Sequence, residues 1–187
     1  MSTSGAVDPV LAPPPGLQPS TWGSLVHEIL ESRLAPSGTA GRPVPSPELR
    51  DRLEGELGSS AAADRAVAGA RDLAEVFLRS ELGSRARAAK ERSVELGIAV
   101  ALEPEPLSPR WARGVIDLAF IEEARVVVVD YQTDAAMLPK GHAVQLGIYA
   151  KAAESVFGKK AEAWIFYLYG GGRAVRLERD DARLNHD

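Results

Sequence analysis

Two aspartates set thirteen residues apart are the part of this sequence best placed to do chemistry. Asp117 closes the run Gly114-Val-Ile-Asp, while Asp130 follows four consecutive valines and opens Asp-Tyr-Gln-Thr-Asp134. The β-branched runs on either side of a short acidic stretch read as two strands joined by a tight turn. With the turn centred between Glu123 and Ala124, Ile121 faces Val126, Ala119 faces Val128, and Asp117 faces Asp130 across an antiparallel hairpin. Directly opposed side chains sit with Cβ atoms ~5 Å apart, where like charges repel. Such a pair gains stability when a cation shares the two carboxylates, and hard oxygen ligands suit Mg²⁺ or Mn²⁺. Side chains alternate along a strand, so Gln132 joins Asp130 on its face.

The elements that must position these residues follow from apolar periodicity and from capping and turn signals. Ser20 or Thr21 is expected to cap a first helix that ends before Pro36, with Trp22, Leu25, Val26, Ile29 and Leu30 as its apolar stripe. His27 lies beside that stripe, one turn after Gly23, where a missing side chain admits another backbone or a ligand. Taken alone, a histidine so placed is a hydrogen-bonded core or surface residue as readily as a ligand. Ser46, Pro47 and Glu48 spell a second helix start, and Gly58 its end. Ser59 or Ser60 opens a longer helix with Val67, Ala70, Ala74 and Phe77 at helical spacing and Gly83 as the stop. From Ser84 a basic helical run carries Arg85, Arg87, Lys90 and Arg92, either a solvated face or a patch that tracks phosphates. A strand over 94–102, entered at Glu95, is followed by a Pro-rich turn or wide loop over 103–109 and by strands over 111–121 and 125–131. The four valines suit a strand buried on both faces at the sheet centre. A helix over 142–157 carries Gln145 and Tyr149 one turn apart and stops at Gly158, and two strands, over 161–169 and 173–178, complete the chain. Helices, three strands, a helix and two strands make an α/β fold with a central mixed β-sheet flanked by helices.

Composition bounds what such a fold can do. The chain has 187 residues, 45% hydrophobic and 26% charged, with no apolar run long enough to span a bilayer. The absence of cysteine excludes a thiol nucleophile and any cysteine-ligated zinc or iron–sulfur site. A formal charge of −4 argues against a general basic coat for nucleic acid, though local clusters remain compatible with phosphate binding. Residues 1–19 hold five of the thirteen prolines and read as a disordered tail or tether, residues 20–179 as one domain, and 180–187 as a flexible end. With no basic and apolar leader at the start, a cytoplasmic location is expected.

The motifs and their order resemble the nuclease domain of the RecB and AddA type within the PD-(D/E)XK superfamily. Gly23-Ser-Leu-Val-His27 is similar to the family's Gly-x-x-x-His, and Gly114-Val-Ile-Asp117 to its Gly-x-Ile-Asp. Asp130-Tyr-Gln-Thr-Asp134 is similar to Asp-Tyr-Lys-Thr-Asp, and Gln145 to Tyr149 to the Gln-x-x-x-Tyr helix that follows. Glu95 matches an acid that opens the first strand. The resemblance implies a restriction-endonuclease-like core in which His27, Asp117 and Asp130 hold Mg²⁺ or Mn²⁺, with Asp117, Asp130, Gln132, Gln145 and Tyr149 forming the catalytic site. It implies metal-dependent hydrolysis of DNA phosphodiester bonds, at ends or on single strands, in repair or recombination. Without cysteines the chain is closer to the cluster-free relatives, and with no P-loop here any helicase is expected to be a separate partner subunit, or the chain a stand-alone nuclease or a fragment. One departure stands out, because Gln132 occupies the place of the family's lysine. A glutamine can orient a water but carries no positive charge. Lys140, in the loop after the strand, is a candidate replacement. The alternative reading is a catalytically inactive module of the same fold that binds nucleic acid or a helicase.

Overall fold

The computed structural model describes residues 12–36, 44–105, 108–133 and 139–177. The element order is α1 (Pro19–Leu34), α2 (Pro47–Leu57), α3 (Ser60–Arg79), α4 (Glu81–Ala88), β1 (Arg92–Glu105), β2 (Ser108–Glu122), β3 (Arg125–Gln132), α5 (Pro139–Phe157), β4 (Lys160–Tyr167) and β5 (Arg173–Arg176). The strands form one mixed sheet in the order β1-β2-β3-β4-β5, so β3 is central and its Val126 to Val129 are fully buried. The chain divides into two compact units, one holding α1 to α4 with the last residues of β3 and β4, the other holding β1, β2, the rest of β3 and β4, α5 and β5. No helix among the described residues is long and apolar enough to cross a membrane.

In the helical unit the expected stripe of α1 is buried, from Trp22 through Leu30, and α1, α2 and α3 pack on one another. The small residues Ala63, Ala66, Ala70 and Ala74 are fully buried on α3, which lets neighbouring helices approach closely. The start of α1 differs from expectation. Pro19 occupies its first turn and no side chain of its own caps it; instead Glu56 of α2 accepts from the Gln18 backbone N–H (2.9 Å) and from the Thr21 hydroxyl (2.7 Å). Ser46 and Ser59 cap α2 and α3 as their sequence positions suggest, and Gly58 closes α2 with a φ of 74°. Gly83 is not the stop of α3. Ser80 takes that place: its hydroxyl donates to the Phe77 carbonyl and accepts from the Gly83 N–H, ending one helix and starting α4. Gly83 is needed for another reason, since a Cβ there would overlap the Phe77 carbonyl. The basic run is likewise not one helix, because Arg85 and Arg87 lie in α4 whereas Arg92 already pairs with Phe120 as the first residue of β1.

In the sheet unit, β1 and β2 form a long antiparallel ribbon. In place of the expected Pro-rich loop over 103–109, pairing continues to Glu105 and Ser108, past an irregularity after Leu102. The β2–β3 hairpin has the expected register, with Ile121 opposite Val126 and Ala119 opposite Val128, and Glu123 takes a left-handed φ of 52° in its turn. The buried Glu162 of β4 accepts from Arg125 (2.9 Å) and Trp164 (2.8 Å) and pairs with Arg176 (3.4 Å), tying three strands together. Helix α5 packs on β1 and β2.

Candidate active site

The β1–β2 ribbon sets two carboxylates face to face. Val94 pairs with Leu118 and Leu96 with Ile116, so Glu95 stands opposite Asp117, and a carboxylate oxygen of each lies within 4.8 Å of the other. Asp117 is half-buried and Glu95 exposed. Glu95 also has a φ of 49°, in the left-handed region that disfavours a side chain. Such a conformation costs ~1–3 kcal/mol and persists where the surrounding structure imposes it, commonly at functional positions. Strain and like-charge opposition therefore coincide at one pair.

On its other side β2 pairs with β3, the strand that carries Asp130. The β2–β3 pairing runs from Glu122 opposite Arg125 to Leu118 opposite Val129, one residue short of Asp117 and Asp130. Since β2 lies between β1 and β3, Glu95, Asp117 and Asp130 lie on three successive strands. Asp130 is buried. In the sequence Glu95 is visible only as a match to the opening acid of a strand; its place opposite Asp117 requires the β1–β2 register.

In the helical unit, His27 of α1 is half-buried with its ring edge-on to Tyr131, centroids 5.8 Å apart, and Tyr131 is also edge-on to Phe77 at 4.8 Å. Four residues earlier on the same helix face, a Cβ on Gly23 would come within 3.2 Å of the Thr133 hydroxyl. The spacing of the two segments explains why they fit. Four helical residues rise ~6 Å, and two extended residues advance ~6.6 Å, so Gly23 and His27 match Thr133 and Tyr131 in step. Gln132 between them is half-buried, and its carbonyl accepts from the Leu168 N–H at 3.0 Å. The side chain of Lys140, and Asp134, lie outside the described residues.

Gln145 and Tyr149 are brought together on α5, where the Gln145 amide donates to the Tyr149 hydroxyl at 2.7 Å. The buried Tyr149 ring lies on the β2 backbone at Gly114, where a Cβ would approach its Cε1 to 2.8 Å and its hydroxyl to 2.9 Å. Gly114 is thus the seat of Tyr149. Asp117 is three positions further along β2, so strand alternation places it on the face opposite Gly114.

A family model for the PD-(D/E)XK nuclease superfamily matches residues 5–184. Among curated proteins, the chain is 25% identical over 186 residues to an ATP-dependent helicase/nuclease subunit of Bacillus cereus, covering 87% of this chain and 15% of that protein. It is 29% identical over 117 residues to the ATP-dependent helicase/nuclease subunit of a Thermoanaerobacter species, covering 54% of this chain and 10% of the relative. The chain therefore spans only a small part of the curated relatives it matches. A solved structure from Eubacterium rectale, described as an exonuclease candidate, has a similar fold at a TM-score of 0.55 and 12% identity, covering 88% of this chain and 60% of the other.

Proposed function

The chain belongs to the PD-(D/E)XK nuclease superfamily, and from that premise we propose that it is a divalent-metal-dependent nuclease that hydrolyses DNA phosphodiester bonds, acting from ends or on single strands in repair or recombination. The observation that carries the reading is the Glu95–Asp117 pair, two carboxylates opposed within 4.8 Å with one on a strained residue. Neither feature stabilises a fold without a cation, and the donor chemistry fits a hard ion such as Mg²⁺ or Mn²⁺. In this proposal Glu95, Asp117 and Asp130 supply oxygens and His27 a nitrogen. A divalent cation held by that set would supply Lewis acidity toward a phosphoryl oxygen and lower the pKa of a coordinated water.

The chain's own groups divide the remaining work. Gln132 orients a water through its amide, accepting and donating hydrogen bonds without contributing charge. Gln145 and Tyr149 hold α5 on β2 at Gly114 and so fix the strand that carries Asp117. A separate helicase subunit is the proposed partner, in keeping with the names of the helicase/nuclease relatives, and the proposed location is cytoplasmic.

Gln132 favours a second reading, a module of the same fold that binds nucleic acid without cutting it. One substitution separates the two. On linear single-stranded DNA with Mn²⁺, the wild type should cut slowly and Gln132→Lys should raise the rate roughly 10²- to 10³-fold, the scale of restoring one electrostatic catalyst. Asp117→Asn should abolish both activities. If neither wild type nor Gln132→Lys cuts while both bind metal, the non-cutting reading replaces the first.

A further inference from the structure

The face of the β1–β2 ribbon that carries Glu95 and Asp117 continues along the strands as a bare strip. Gly97 pairs with Val115 and Ala99 with Arg113, and all four are exposed, whereas the alternating residues Ile98 and Ile116 are buried. Val115 is 42% exposed, unusual for a β-branched residue in the middle of a strand pair. The Arg113 backbone pairs with Ala99, while no side-chain hydrogen bond or ion pair joins its guanidinium to the described residues. From one end to the other the strip therefore runs from two carboxylates, past glycine, alanine and valine, to an exposed guanidinium.

We propose that this strip is the track of the substrate, a single strand of DNA whose scissile phosphate lies at the acidic pair and of which a phosphate further along is gripped by Arg113. The inference rests on the nuclease reading and adds to it the path of the strand and a residue that positions it. Four strand residues separate Arg113 from Asp117, ~13 Å at the rise of an extended chain. At about 3.4 Å per nucleotide of stacked strand that is several phosphate steps, so Arg113 meets a phosphate some nucleotides removed from the one being cut. Guanidinium geometry suits a phosphate through two parallel hydrogen bonds. Gly97 and Ala99 leave that surface low enough for the backbone to lie flat, and Val115 offers an apolar contact to a sugar or base.

Two variants of the full chain test the path by anisotropy of a labelled single-stranded DNA oligonucleotide in Ca²⁺, titrated at several salt concentrations. Arg113→Ala should weaken binding about tenfold, as expected for one charge-assisted contact, and reduce the slope of log K against log salt by about 0.7 to 1. Gly97→Val separates a substrate track from a merely tolerant surface. No atom lies within 4 Å of a Cβ at Gly97, and a β-branched residue suits a strand. Its thermal midpoint should be unchanged or higher while DNA affinity falls. If the wild type binds and cuts DNA but both variants bind with wild-type affinity and slope, the path is wrong and the nuclease reading stands. Equal competition by a blunt duplex would overturn the single-strand assignment. A wild type that neither binds nor cuts DNA removes both the reading and the path built on it.

Discussion

Gly114→Ala is the smallest change that tests how the site is framed. The added Cβ would sit 2.8 Å from Tyr149 Cε1, against an ordinary contact of at least 3.4 Å, so the ring must retreat by 0.6 Å or more. Tyr149 has little room to do so, being buried and held through its hydroxyl by Gln145. Overpacking of this kind costs about 1–3 kcal/mol. For a chain of this size each kcal/mol lowers the melting temperature by roughly 2–4 °C, giving an expected fall of about 2–12 °C. The same substitution in a Tyr149→Ala background should cost nothing, and an alanine in place of a strand glycine should gain about 0.5–1 kcal/mol. Thermal denaturation of the four proteins of this double-mutant cycle should therefore show a coupling of about 1.5–4 kcal/mol. Additivity within ~0.5 kcal/mol would refute the contact, and with it the role assigned to Gly114.

Two further outcomes follow from named side chains. Glu95→Gln and His27→Ala should each weaken Mn²⁺ binding by calorimetry at least ~10-fold, the loss expected for even an outer-shell partner of a metal, and should shrink the rise in melting temperature that Mn²⁺ gives the wild type; undiminished affinity in either would remove that residue from the ligand set. Arg50 bridges Glu54 (2.7 Å) and Asp64 (2.7 Å), and hydrogen bonds from Arg50 first and Ser60 second hold the Glu54 carboxyl below its usual range. A lowered folded-state pKa stabilises above the unfolded value and loses that stabilisation as pH falls through the folded value, so an NMR titration of Arg50→Ala should move the Glu54 midpoint upward.

The helices show which local signals carry through to the fold. Ser46-Pro47-Glu48 and Ser59 mark helix starts correctly because a cap is a contact between near neighbours, complete within one turn. The start of α1 is less legible, since its cap is supplied by Glu56, 35 residues from Thr21. Gly83 misleads for a related reason. A glycine can mean a left-handed stop or a close approach, and only the position of the Phe77 carbonyl decides between them.

The same distinction explains how much of the site is readable from sequence. The β2–β3 register follows from a two-residue connection, so the pairs from Ile121–Val126 onward are legible and with them the direction from Asp117 toward Asp130. The β1–β2 register depends on a connection whose prolines signal a break without fixing its length. A slip of one residue there would turn every β1 side chain to the other face and remove Glu95 from Asp117. Pairing of Glu105 with Ser108 is one residue out of step with the constant pairing from Arg92 to Leu102, so the irregularity between Leu102 and Glu105 decides the register that reaches Glu95. The spacing of Gly23 and His27 likewise has no visible meaning until Thr133 and Tyr131 supply a matching step on an extended segment. Within one element, spacing predicts which residues share a face; between elements, it becomes informative only once a short turn or a matched rise fixes their register.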